Sequence, residues 1–167
     1  MEQKGLGDVF ISDTPFIKNC LTKWIGSSGQ VDDLACLRAY AMLFRKDFDA
    51  WVLIEVGEKA SVADWFGPSW RTSCLGTRVN NLPASDSLAP IANSAFETIS
   101  LTQSARLDHI CTQFPKIGAR ELVPVSYKRL ILAVTFQDST PALLNIVERT
   151  HDIRIEGLPD RLRTLMK

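Results

Sequence analysis

Seven consecutive residues, Trp65-Phe66-Gly67-Pro68-Ser69-Trp70-Arg71, set three aromatic rings and a guanidinium around one Gly-Pro turn. Such rings stack on planar ligands, and an arginine fork holds carboxylate or phosphate through paired N–H donors. The same residues also suit a chain reversal that closes a core, with Arg71 as a surface charge. Loops near Gly-Pro turns carry binding residues disproportionately, so Trp65, Phe66, Trp70 and Arg71 are the expected wall of any ligand pocket. A second group, Asp108-His109-Ile110-Cys111, sets three reactive side chains within four residues. A Cys–His pair can yield a low-pKa thiolate, and His-x-Cys can supply two metal ligands. Zinc needs three or four protein ligands, and the chain holds only one other histidine, His151, so no metal site is expected. His109 stays a candidate ligand contact, against the plainer reading of a surface histidine beside a bystander thiol. Arg120, at the mouth of an apolar strand, faces a carboxylate or phosphate in the pocket, or pairs with Glu121 or an acid on a neighbouring strand.

The signatures of common enzymes are missing. The chain has no Gly-x-Ser-x-Gly elbow, no His-Glu-x-x-His, no dinucleotide fingerprint and no phosphate loop. The expectation is a non-enzyme, with a thiol redox enzyme built on Cys111 as the alternative. The charge is balanced, 19 Lys+Arg against 19 Asp+Glu over 167 residues. Binding nucleic acid by counterion release needs a basic excess, so a nucleic-acid partner is not expected. No apolar run approaches the roughly 20 residues of a membrane span, and no secretory leader is visible. The four cysteines show neither metal-knuckle nor thioredoxin spacing. Together these features point to reduced thiols in a cytoplasmic protein away from membranes.

The elements that must position these residues follow from period and punctuation. Residues 1–14 form a partly ordered lead. Thr14-Pro15 opens a helix carrying Phe16, Ile17, Cys20, Leu21 and Trp24, stopped by Gly26. Asp32 or Asp33 caps a second helix to about Phe44, with Leu34, Leu37, Ala41 and Phe44 on one face. Residues 49–56 and 60–66 form a hairpin about Gly57-Glu58-Lys59. Asp86-Ser87 caps a further helix, a short strand spans 97–101, and residues 102–113 form a helical turn or two. A hairpin follows, 120–127 and 130–136, turning at Lys128-Arg129. Ser139-Thr140-Pro141 opens a helix, and Leu158, Leu162 and Leu165 mark a closing one. Strands gathered in hairpins with helices at both chain ends predict an α+β domain, an antiparallel β-sheet with helices packed on it.

The closing hairpin carries a resemblance. Arg120-Glu121-Leu122-Val123-Pro124-Val125, a tight turn, and then Leu130-Ile131-Leu132-Ala133-Val134-Thr135-Phe136 resemble the end of a GAF domain. The element order upstream is similar too, so the resemblance covers roughly residues 15–155. The turn lacks the glycine usual in that family. The resemblance implies a single GAF/PAS-like sensory domain over 15–167, with a pocket on one sheet face. Domains of this kind bind small molecules there or act as dimerisation platforms. The expected function is therefore regulatory: a small-molecule ligand, of a kind the residues do not name, signalled through terminal helices in a homodimer. The alternative is a ligand-free interaction module that meets a protein partner through the apolar faces of Phe16–Trp24 and Leu34–Phe44.

Overall fold

The computed structural model describes residues 1–67, 69–82, 85–115 and 122–150, with side chains for all but 85–93, 114, 115 and 122–124. The loop about 116–118, Arg120, His151 and the expected closing helix at 158–165 lie outside the described residues. The expected fold class is the one observed: a six-stranded antiparallel sheet with helices packed on it. Strand β1 (Glu2–Lys4) leads into helices α1 (Leu6–Ser12), α2 (Pro15–Ile25) and α3 (Ala35–Arg38). Strands β2 (Ala41–Asp47) and β3 (Ala50–Val56) form a hairpin. Helices α4 (Val62–Phe66), α5 (Trp70–Ser73) and α6 (Ser85–Thr102) follow, and β4 (Ala105–Pro115), β5 (Leu122–Thr135) and β6 (Pro141–Arg149) complete the sheet. The strand order is β1-β4-β5-β6-β2-β3.

Helices cover both faces of the sheet, so the chain has two cores. On one face α1, α2 and α3 bury Val9, Ile17, Leu21 and Leu37 against Leu43, Leu107, Leu130, Leu132 and Leu144. On the other, α5 and α6 bury Trp70, Phe96 and Ile99 against Phe44, Trp51, Leu53, Ile131 and Leu143. These are called the α2 face and the α6 face below. The α2 helix starts as expected: Pro15 takes the first turn, and the Thr14 hydroxyl accepts from the Ile17 amide at 3.3 Å. The Thr14 hydroxyl also donates to Glu148 on β6 at 2.7 Å, tying the cap to the sheet. On the other side Glu97 of α6 accepts from Lys46 and, at 2.9 Å, from the Trp51 indole. Phe96 meets Phe44 and Trp51 edge-on, with centroids 5.0 and 5.9 Å apart. At the end of β3, Gly57 runs so close to α3 that a Cβ there would stand 2.2 Å from the Arg38 carbonyl oxygen.

Several expected elements are of the other type, and one cause explains most of them. Strands buried on both faces lose the polar–apolar alternation that identifies a half-exposed strand. Thus Ala41-Met42-Leu43-Phe44 is fully buried and belongs to β2, and the helix expected through Phe44 ends at Arg38. Residues 142–147 are all buried on β6, where a helix was expected. In β4, Leu107 and Ile110 have helical spacing, yet they face opposite cores, and 105–115 is a strand. Residues 62–66 are helical rather than a strand, stopped by Gly67 at φ +83°. Residues 97–101 continue the 18-residue α6, with Ile99 buried and Leu101 exposed. Lys128-Arg129 is no turn. It lies inside the 14-residue β5.

Candidate functional site

Side-chain alternation along β4 puts Arg106 and Asp108 on the α6 face with Ile110, and along β5 it puts Tyr127 and Arg129 there with Ile131. Asp108 stands opposite Arg129 in the register, and Arg106 opposite Ile131. Asp108 is wholly buried. It accepts from Arg129 Nη2 at 2.6 Å and Nε at 3.2 Å on one oxygen, and from Arg106 Nε at 2.7 Å on the other. The Arg129 side chain is 8% exposed and that of Arg106 19%. Two guanidiniums therefore share one carboxylate on a helix-covered face. Met1, running out of β1, lays its sulfur 3.7 Å from Arg129 Nη2.

The next strand brings a fourth polar group. Asn145 on β6 pairs with Ile131 on one side and Met42 on the other, and it shares its face with Leu143 and Val147. It is buried, and its Oδ1 has no hydrogen-bond partner among the described residues. An unmade bond to a buried carbonyl costs about 1–3 kcal/mol, so this atom calls for a donor. The row Arg106–Ile131–Asn145–Met42 runs straight across four strands.

The aromatic segment supplies the cover. The Trp65 ring packs on Tyr127, centroids 5.2 Å apart, and Phe66 packs on Trp70 at 5.0 Å. Burial pushes the Tyr127 phenol up to about 12; Asp108 adds to the rise and Arg129 opposes it. Trp70 is 8% exposed, with its indole nitrogen unpartnered among the described residues. Trp65, Phe66 and Trp70 thus belong to one layer over the α6 face. Arg71 goes elsewhere. Its Nη2 donates to the Val56 carbonyl at 3.3 Å on β3, beside an edge groove of about 360 Å³ that also includes Glu55, Thr72 and Leu75. Tyr127 and Val56 lie on strands three positions apart, so Trp65 and Arg71 do not converge on one point.

His109 faces the opposite core. It points with Lys128 to the α2 face, where Asp13 lies 3.7 Å from its Nε2 and accepts from Lys128 Nζ at 2.7 Å. Burial holds the His109 pKa below 6.5, with Asp13 pulling the other way. Asp13 itself is lowered: burial would raise it, but the bonds from Lys128 and from the Thr14 amide, with their charges, outweigh that. Cys111 shares that side of β4 and lies 3.5 Å from the Ser126 hydroxyl. Burial pushes the Cys20 thiol up to about 11. Among the described residues no group of three His, Cys, Asp or Glu could hold a metal, and no described helix is long and apolar enough to cross a membrane.

Arg106, Arg129 and Asn145 escaped the sequence reading as site residues, and Asp108 was grouped with His109 and Cys111 instead, although charges two apart inside an apolar strand share a face and were a usable signal. The apolar faces of Phe16–Trp24 and Leu34–Phe44, expected as partner surfaces, are already spent: Ile17, Leu21, Leu34, Leu37, Leu43 and Phe44 are buried in the two cores. No protein-family profile matches the chain, and no curated protein matches it. Among solved structures it is similar to a fungal LOV-domain photoreceptor, at 11% identity over 87% of this chain and all of that one, with a TM-score of 0.45.

Proposed function

We propose that this chain is a non-catalytic, GAF/PAS-like sensory or regulatory domain that holds a small molecule against the α6 face, beneath the Trp65–Trp70 layer. The supporting observation is the buried Arg106–Asp108–Arg129 cluster with the unpartnered Asn145 carbonyl beside it. Buried ion pairs are weak sources of stability, because desolvation offsets most of the attraction. A structural pair would also need one arginine, not two. An uncompensated guanidinium and an empty acceptor on one covered face are what a binding site requires.

The same strand offers a route for the signal. Arg129 faces the ligand side, and its neighbour Lys128 holds Asp13 at the joint between α1 and α2. A shift of β5 at these two residues reaches the N-terminal helices directly. Helix α1 ends with Phe10 and Ile11 exposed, 47% and 81%, which suits pairing with a second copy in a cytosolic homodimer. The test is the native mass and absorbance of the purified protein beside its denatured mass. Retained non-covalent mass or a visible band, lost in the Trp65→Ala/Trp70→Ala variant, supports the reading; retention unchanged in that variant overturns it.

A further inference from the structure

We infer that the rim of the sheet carries a separate binding site, for a small aliphatic monocarboxylate, in the groove between β3 and α5. The carboxylate meets the Arg71 guanidinium and the Thr72 hydroxyl, and the aliphatic body lies on Ile54 and Leu75. β3 is the last strand of the sheet, so its outer edge has to be covered or stay open. At Leu53 it is covered: the N–H donates to the Thr77 carbonyl at 3.0 Å, and the carbonyl accepts from the Gly76 amide at 2.8 Å. At Val56 the carbonyl accepts from Arg71 Nη2 at 3.3 Å. Between these two points the β2–β3 register slips by one residue, and Ile54 bulges with no partner on β2. The groove of about 360 Å³ opens at this break, lined by Ile54, Glu55, Val56, Arg71, Thr72 and Leu75.

Charge and bonding set the anion. Arg38 holds Glu55 through Nη2 and through Nε, which lies 3.3 and 3.2 Å from the two carboxylate oxygens. That pair is neutral, so the lining keeps one net positive charge, on Arg71. Arg71 is half-buried and makes no ion pair with any described residue. Its buried Nε has no partner among them, Nη1 makes no bond to them, and Nη2 makes only the one to Val56. A guanidinium withdrawn from water with a single bond calls for an anion, and its terminal N–H groups form a fork that matches a carboxylate. The neighbouring Thr72 hydroxyl, also in the lining and unbonded to any described residue, is a further donor.

The remaining lining sets the body of the ligand. Leu75 is 43% exposed at the groove, and a hydrocarbon laid on it and on Ile54 removes that surface from water. The volume is at the lower end of the roughly 300–1,000 Å³ of ligand sites, which restricts the body to a few carbons. One excess positive charge suits one carboxylate; the ammonium of an amino acid would oppose Arg71.

The probe is 4-methylpentanoate, compared with 4-methylpentan-1-ol, acetate and L-leucine by two-dimensional amide NMR of the isotope-labelled intact chain. Saturable shifts of the Val56, Thr72 and Leu75 amides are expected with 4-methylpentanoate. Binding is expected to be about tenfold weaker for the alcohol, which lacks the charge, and for acetate, which lacks the body. L-Leucine is expected to bind more weakly as well. In Arg71→Gln the acid falls to the affinity of the alcohol. In Leu75→Ser, at an exposed position outside both cores, it falls toward that of acetate. The inference is overturned if the alcohol, acetate or L-leucine binds as tightly as 4-methylpentanoate, if the preferences survive in both variants, or if these amides show no saturable shift. The α6-face reading is read out by retained mass in the Trp65→Ala/Trp70→Ala variant, so either site can fail alone.

Discussion

Replacing Asn145 by leucine is expected to stabilise the protein. Leucine has nearly the shape of asparagine, and the site is buried between Ile131 and Met42, with Leu143 and Val147 two residues either way on the same strand. Two contributions have the same sign. The orphan carbonyl disappears, worth about 1–3 kcal/mol. An apolar side chain then fills an apolar site, worth up to about 1.5–3 kcal/mol, part of which is offset by repacking around the second methyl group. A net gain of about 1–3 kcal/mol follows. For 167 residues each kcal/mol moves Tm by about 2–4 °C, so a rise of roughly 2–12 °C is expected. Calorimetry and urea denaturation of dialysed wild type and variant measure it, and an unchanged m-value shows that the unfolded reference is the same. A fall of several degrees would refute the reasoning, because it would mean that Oδ1 has a partner in the native protein.

Two further perturbations test the charge networks on either face. Asp108→Ala strands Arg129 on the covered face and is expected to cost about 3–5 kcal/mol in urea denaturation, most of it recovered in Asp108→Ala/Arg129→Met; losses that simply add would mean the two side chains are uncoupled. On the α2 face, burial keeps His109 neutral below its ordinary pKa of 6.5, amid Asp13, Lys128, Lys4 and Glu2. The unfolded chain therefore binds the extra proton first, so stability is full above about pH 6.5 and falls as pH drops toward the folded-state pKa. His109→Gln flattens that slope, and parallel wild-type and variant profiles between pH 5 and 7.5 would exclude it.

How much of the site was legible turns on how each residue reads in one dimension. Trp65, Phe66 and Trp70 announce themselves as aromatics about a glycine-bearing turn, and they do form one covering layer. Arg71 looks like their partner, yet four residues of α5 carry it round to the outer strand, because a short helix rotates successive side chains by about 100°. Asp108 and His109 read as one cluster. On a strand, neighbours point to opposite faces, so the sheet separates them completely: Asp108 joins Arg129, and His109 joins Asp13.

By itself the sequence determined the class of fold, the start and stop of α2, and the absence of a large charged field. Thr14-Pro15 and Gly26 act through local hydrogen bonds and dihedral preferences, which need no distant partner. Net neutrality is a property of composition alone. Only the tertiary structure decided the period of the buried strands and the place of the charges. Lys128-Arg129 shows why. As a dipeptide it looks solvated, and it reads as a turn. In the folded chain each cation finds an aspartate that is distant in sequence, Asp13 on one face and Asp108 on the other, and those pairings let the strand run straight through the middle of the sheet.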